Sequence, residues 1–364
     1  MSAEAQIASE VIYRAKPLIQ LGGQSDAMVQ RLLTGMRMSE SEGGLSSLEL
    51  RLHNSAHTER QGIDYAFEFS DNDLLSLGAE IRVNCGDEND PREIFRGSIT
   101  GLEMLIEEGA QPELVVLAED RLQTARMQRR TRVFNDSSVA DIVDRLAAEL
   151  GLTAVVHQLD RSLLVVSQYN ESNLAFLRRL LARYDSDLQV VGDELHVSAR
   201  GEVRRNELSL DVNSQLTSVR LLADLSQQVT EVTFSGWDVA QGQPITTSCD
   251  SNVAVGPGQG STGSQVLSNT LGARSEHIGN ATVVDEAEAQ ALVDGCFARR
   301  ERGFVGVQGC AVGNPELRVG SHVTINGAGP RFNNTYYVCG ACHRYDDVEG
   351  YRTEFQGECA YFGV

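Results

Sequence analysis

The residues best placed to do chemistry are Cys339-Gly-Ala-Cys342-His343. The string matches the CxxCH attachment site of c-type haem and contains a CxxC of redox or zinc spacing. It therefore defines one reading of the chain, a metal- or haem-binding redox protein using Cys339, Cys342 and His343. Three physical points oppose it. The stretch from Tyr336-Tyr-Val338 onward reads as a strand, in which residues three apart point to opposite faces. Their Cα atoms would lie roughly 10 Å apart, beyond disulfide reach. A zinc site would also want a second cysteine pair, which the sequence lacks.

The remaining motifs are weaker. His53-Asn-Ser-Ala-His57 has the i, i+4 spacing of metal ligands, but it lacks the Glu of HExxH and follows a strand. Gly258-Gln-Gly260-Ser-Thr-Gly263 satisfies GxGxxG, yet no apolar strand precedes it and no βαβ frame surrounds it, so it reads as a loop. The paired carboxylates Glu107-Glu108 and Asp346-Asp347 fall in apparent turns, and neither a GxSxG elbow nor a GxxxxGK[ST] loop occurs. The expectation is a protein that is not an enzyme, with no catalytic residue, cofactor or metal.

The elements that would position any site are mostly strands. Residues 9 to 125 read as β: Leu48, Leu50 and Leu52 alternate with Glu49, Arg51 and His53, and Ile63, Tyr65, Phe67 and Phe69 alternate with more polar neighbours. Near residue 131 the period changes. Asp136-Ser-Ser can cap a helix with a stripe of Val139, Ile142, Val143, Leu146 and Leu150, which Gly151 ends. A second helix starts near Ser172 with Leu174, Leu177, Leu181 and Tyr184 on one face.

From about residue 207 the β pattern returns, broken from Gly256 to Gly272 by a Gly/Ser-rich stretch with the composition of a flexible loop. Asp285 then caps a helix that carries Arg299, Arg300 and Arg302 in its last turn and stops at Gly303. The last strand places Tyr351, Thr353, Phe355, Cys359 and Tyr361 on one face and Arg352, Glu354, Gln356 and Glu358 on the other. No internal repeat of 20 to 50 residues is visible. The fold class is α+β, mainly β. A β domain spans 1–128, an α/β insert 129–203 and a second β domain 204–364, with a flexible loop at about 241–280 and a helix at about 285–302.

Composition narrows the partners. A chain of 364 residues with 41% hydrophobic content can bury two or three cores. The formal charge of −20 argues against a grip on nucleic acid, which needs clustered Lys and Arg. Seven scattered cysteines and an acidic N-terminus without an apolar run point to free thiols, no leader and no membrane segment.

Several strings resemble one family: Ile94-Phe-Arg-Gly97, Ala118-Glu-Asp120, Tyr169-Asn-Glu-Ser-Asn-Leu-Ala-Phe-Leu-Arg-Arg-Leu180, then Asn314-Pro315, Gly320 and Asn333-Asn-Thr-Tyr-Tyr-Val338. Spanning residues 40 to 360 in order, they are similar to the phage late control D proteins and to the N-terminal hub part of type VI VgrG proteins. The resemblance implies two tube-like β-barrel domains per chain and a homotrimer forming a pseudo-six-fold ring. Such a baseplate hub of a contractile tail would adapt a six-fold tail tube to a three-fold central spike.

The implied partners are further copies of the chain, a tail tube or tube-initiator protein, a spike and baseplate wedge proteins. DNA or protein cargo would pass through an acidic lumen without specific binding. The implied location is the virion tail baseplate, assembled in the host cytoplasm; an extracellular contractile injection system or a tailocin is the alternative machine. Because the chain ends at Val364 with no OB-like barrel or spike repeat, the spike is expected to be a separate protein.

Overall fold

The computed structural model describes residues 16–58, 65–67, 69, 73–87, 90–157, 159–239, 241–251, 253 and 255–363. Of the expected N-terminal β segment, residues 9–15 and Ile63 lie outside them. The chain is mainly β, and one large sheet dominates it. Its first set of strands is β1 (Leu33–Ser41), β2 (Ser47–His53), β3 (Glu80–Asp87), β4 (Asp90–Leu105) and β5 (Glu113–Glu119). Its second set is β6 (Leu216–Ala223), β7 (Val305–Val312), β8 (His322–Asn326), β9 (Asn334–Asp346) and β10 (Gly350–Cys359). The order across the sheet is β6-β7-β10-β9-β1-β2-β5-β4-β3, continuing past β3 to the short strands Leu18–Leu21 and Gln24–Ser25, with β8 paired to the same edge of β9 that continues onto β1.

Alternation built these strands as expected. In β2, Leu48, Leu50 and Leu52 are buried while Ser47 and Arg51 are exposed, and in β10 the two predicted faces separate as read through Cys359, while Tyr361 is half-buried in a separate short strand, Tyr361–Phe362. Each set of strands buries one face on its own core. The first core gathers Met36, Met38, Leu50, Ile81 and Val116, and the second Val307, Val323, Ile325, Tyr336 and Phe355. A short helix, Ala27–Leu32, which the sequence pattern had not indicated, closes part of the first core through Val29.

The α/β insert has a third core of its own, built from α1 (Val139–Glu149) and α2 (Asn173–Arg183) over the strands Arg129–Ser138, Thr153–His157, Ser162–Ser172, Ser186–Val191 and Glu194–Ala199. Ser138, and not Asp136, is the N-cap of α1. Ser138 forms a capping box with Asp141, while Asp136 sits at φ +48° within the strand Arg129–Ser138 that leads into the helix. Ser172 caps α2 as expected.

The segment expected to be a flexible loop at about 241–280 is instead largely ordered. It contains the strands Gln243–Cys249 and Ser275–Ile278 and helix α3 (Gly263–Thr270), which Thr262 and Gln265 start with a reciprocal capping box. The physical reason lies in its glycines. A Cβ on Gly258, Gly260 or Gly263 would collide respectively with Asn334, Cys359 and Tyr361, with the Gly363 carbonyl, and with Gln228. Close chain approach, not looseness, selects glycine here. Helix α4 (Glu286–Arg302) follows, capped by Asp285, and packs Ala289, Val293 and Phe297 onto Val232, Phe234 and Ile245.

The two sets of strands are the same motif used twice. β1-β2-β5-β4-β3 and β6-β7-β10-β9-β8 have the same order, and their registers coincide: Leu33 faces Leu52 as Leu216 faces Ala311, Leu50 faces Val116 as Gly309 faces Phe355, and Gly101 faces Leu117 as Gly340 faces Gln356. The bulges coincide too. At one, Thr34 Oγ1 donates to the Arg51 carbonyl (3.1 Å) and Thr217 Oγ1 to that of Cys310 (2.9 Å). At the other, Thr100 Oγ1 donates to the Leu117 carbonyl (3.4 Å) and Cys339 Sγ to that of Gln356 (3.5 Å). Gly78 and Gly320, at φ +86° and +87°, lead into β3 and β8 with matching bonds to Ile99 and Val338.

Candidate functional site

On the face of the sheet turned away from the cores, side chains from both sets of strands form one concave surface. A trough of about 640 Å³ is lined by Ser218, Arg220, Cys310, Glu354, Cys342 and Ser39. It continues through Arg37 and Ser39 into a second trough of about 620 Å³ over Ser47, Glu49, Thr100 and Glu119. Register explains the continuity, because Ser218, Cys310, Glu354, Cys342, Ser39, Ser47 and Glu119 lie in one row across adjacent strands. The surface carries both charges: Arg344 pairs with Glu354 (2.7 Å) and Arg51 with Glu49 (3.0 Å), with Arg37 and Arg220 beside them.

Two edges of this surface carry no described partner strand over much of their length. Apart from a single bridge from Leu216 to Val212, β6 pairs only with β7 among the described residues. β4 gives Asp90–Ser98 of one edge to β3, after which that edge is unpaired by any described strand while the other edge pairs with β5 as far as Leu105. Apolar side chains sit on these edges, with Leu102 and Met104 40% and 42% exposed and Ile106 64% exposed just beyond.

One rim of the sheet is covered by the insert, and charge does the covering. Arg178 donates to the carbonyls of Gly43 and Gly44 (both 2.8 Å) in the β1–β2 turn, and Gln189 Nε2 to that of Ser41 (2.9 Å). The buried Arg200 guanidinium lies 3.0 Å from the Tyr337 ring centroid, between Glu42 and Glu358 (2.7 Å to the latter). Arg302 joins Asp185 (2.6 Å) to Glu358 (3.2 Å). Burial pushes the Glu42 carboxyl up to about 7 despite Arg200. At the opposite rim the β4–β5 and β9–β10 loops are exposed, with Ile106, Glu107 and Glu108 on one and Asp347, Val348 and Glu349 on the other.

The structure does not bring Cys339, Cys342 and His343 to one point. Cys342 Sγ accepts from Ser39 Oγ (3.4 Å) on the concave face. His343, the next residue, points into the core, fully buried, with Nδ1 2.7 Å from the Tyr351 hydroxyl. Burial pushes the Cys339 thiol up to about 12, opposite to what a redox nucleophile needs, and holds His343 down at about 3. Among the described residues no group of three His, Cys, Asp or Glu side chains is arranged to hold a metal. All seven cysteines are free; Cys85, Cys249 and Cys359 are buried, while Cys296, Cys310, Cys339 and Cys342 are half-buried, not the uniformly buried set their type suggests. His53 and His57 sit on two different strands, so their spacing is not helical. No described helix is long and apolar enough to cross a membrane.

The family model described as the Alg8 N-terminal domain matches residues 60–347, most of the chain. The chain belongs to the Alg8 N-terminal domain family. No curated protein matches it. Among solved structures, this Alg8 N-terminal domain chain is similar to the 43 kDa tail protein of prophage MuSo2 from Shewanella oneidensis, at 12% identity and TM-score 0.66 over 94% of this chain and 97% of that one. It is similar to a tail protein from Neisseria meningitidis MC58, at 11% identity and TM-score 0.65 over 94% and 96%. It is also similar to the E. coli c3393 protein, described as a component of the type VI secretion system with structural similarity to the T4 tail proteins gp27 and gp5, at 12% identity and TM-score 0.59 over 95% and 78%. The resemblance to late control D and VgrG proteins is thus met only as a shared phage-tail fold; the family match does not extend to late control D proteins.

Proposed function

We propose that the protein is a structural component of a contractile tail or related injection machine, a baseplate hub that works as a homotrimeric ring and carries out no catalysis. The observation that carries this reading is the curved sheet of two like halves with an open edge at each end. Closure of such a sheet by rotation makes a ring, and three copies of a twice-used motif give six near-equivalent positions around it. That geometry suits a piece between a six-fold tube and a three-fold spike, in a particle's tail baseplate. The concave face would line the channel and the exposed loop rim would meet a neighbouring ring.

A channel lined by this face is not the acidic surface that a net charge of −20 suggested. Arg37, Arg220 and Arg344 stand among Glu49, Glu119 and Glu354, so non-adhesive passage of cargo would rest on paired charges instead of a single sign. Phage, tailocin and injection-system settings share these features, and the neighbouring genes decide among them. The redox alternative draws no support from the positions of Cys339, Cys342 and His343.

The test is the mass of the purified protein by light scattering across a concentration series, repeated with its candidate spike protein. We expect three times the 39.6 kDa of the chain. A monomer in both series overturns the ring.

A further inference from the structure

We infer that two copies of this chain join by laying β6 of one copy along the free edge of β4 of the next, in the register of the internal β9–β1 junction. The inference rests on the ring reading and adds to it the partner strand and every residue contact along it. β9 is the counterpart of β4, and β1 of β6. Within the chain, the edge of β9 pairs first with β8 and then, from Gly340 to Asp346, with β1. The same edge of β4 pairs first with β3, and the place that β1 occupies on β9 holds no described strand on β4. The strand equivalent to β1 is β6, and its outer edge likewise pairs with no described strand.

The internal junction sets the register. Gly340 matches Gly101 and Leu33 matches Leu216, each at the same bulge. Ala341 facing Glu40, His343 facing Met38 and Tyr345 facing Met36 therefore become Leu102 facing Ala223, Met104 facing Leu221 and Ile106 facing Val219. In the internal junction all six of those residues point into the core and are buried. Every one of their six counterparts is apolar, and Leu102, Met104 and Ile106 are among the large apolar side chains this chain leaves exposed. Shifting β6 by one residue would turn Arg220 into the core face in place of Val219 and Leu221, so the register is specified. Two open apolar edges are an aggregation hazard in a monomer and a complementary pair in a ring.

The test is disulfide capture in the full chain. Leu102→Cys and Ala223→Cys in one protein should give, under mild oxidation, reducible species of two and three chains on a denaturing gel, absent from either single variant. Leu102→Cys with Val219→Cys is the out-of-register control and should give nothing above the singles, which also account for the native thiols. Light scattering of the same samples separates the two claims. A trimer that captures the control pair, or neither pair, overturns the register and leaves the ring standing. A monomer throughout overturns the ring and this junction with it.

Discussion

Arg318→Leu is expected to cost about 3–5 kcal/mol of folding stability, the range for removing one partner of a buried ion pair. Arg318 reaches from the β7–β8 connection to Glu40 on β1 with two bonds, Nε to Oε1 at 2.8 Å and Nη2 to Oε2 at 2.5 Å, and the Val319 N–H adds a third at 2.7 Å. Glu40 is almost fully buried, its side chain only 3% exposed. Burial alone would raise its pKa, yet Arg318 and Val319 hold it below the usual carboxylate range, so it is charged at neutral pH. Without Arg318 that charge keeps only the Val319 N–H.

The double variant Glu40→Leu/Arg318→Leu should recover most of the loss, because a buried ion pair replaced by apolar groups of similar size costs little. Urea unfolding of the four proteins makes the comparison. A single variant within about 0.5 kcal/mol of the parent, the usual range of a surface change, would show that this contact does not hold the two halves together. The pair also explains why the internal junction tolerates a Glu where its counterpart in β6 is Ala223: the chain supplies its own guanidinium to Glu40, whereas an edge awaiting another copy has only apolar partners.

What the sequence revealed and what it hid follow from the range of the forces. Alternation in β2 and β10 was legible because each strand buries one face on a local core, and the helices starting at Ser172 and Asp285 were legible because their caps lie within four residues. The pairing of β9 with β1 was not, since it joins segments from opposite ends of the chain. The duplication left one short signal, Leu33-Thr-Gly-Met-Arg-Met38 against Leu216-Thr-Ser-Val-Arg-Leu221, and elsewhere survives only as register and bulges. Leu102, Met104 and Ile106 alternate like core residues, and only the fold shows that this chain does not cover them. Gly258, Gly260 and Gly263 read as slack because composition cannot distinguish freedom from close packing.

The CxxCH string then acquires a role, through its histidine alone, as a source of pH-dependent stability. His343 is enclosed by Tyr351, Thr353, Glu40 and Arg318; burial, with Arg318 adding to it, depresses its pKa from 6.5 to about 3. The folded protein therefore keeps it neutral while the unfolded chain protonates it below about 6.5. Its contribution to stability is whole above that pH and falls as the pH drops toward about 3, by up to about 1.4 kcal/mol per pH unit. Between pH 7 and pH 5 this amounts to about 2 kcal/mol.

Glu42 and Asp120, raised by burial to about 7 and about 6, act in the opposite sense, taking up protons on folding as the pH falls. The whole protein's pH profile therefore mixes the signs, and a difference isolates the histidine. In His343→Asn the amide can take the place of Nδ1 opposite the Tyr351 hydroxyl, and nothing at that position titrates. Denaturant unfolding of parent and variant at fixed protein concentration should show the parent losing about 2 kcal/mol more than the variant on going from pH 7 to pH 5. Parallel profiles would mean that His343 accepts a proton in the folded protein as readily as in the unfolded chain, which its enclosure between the two halves of the sheet forbids.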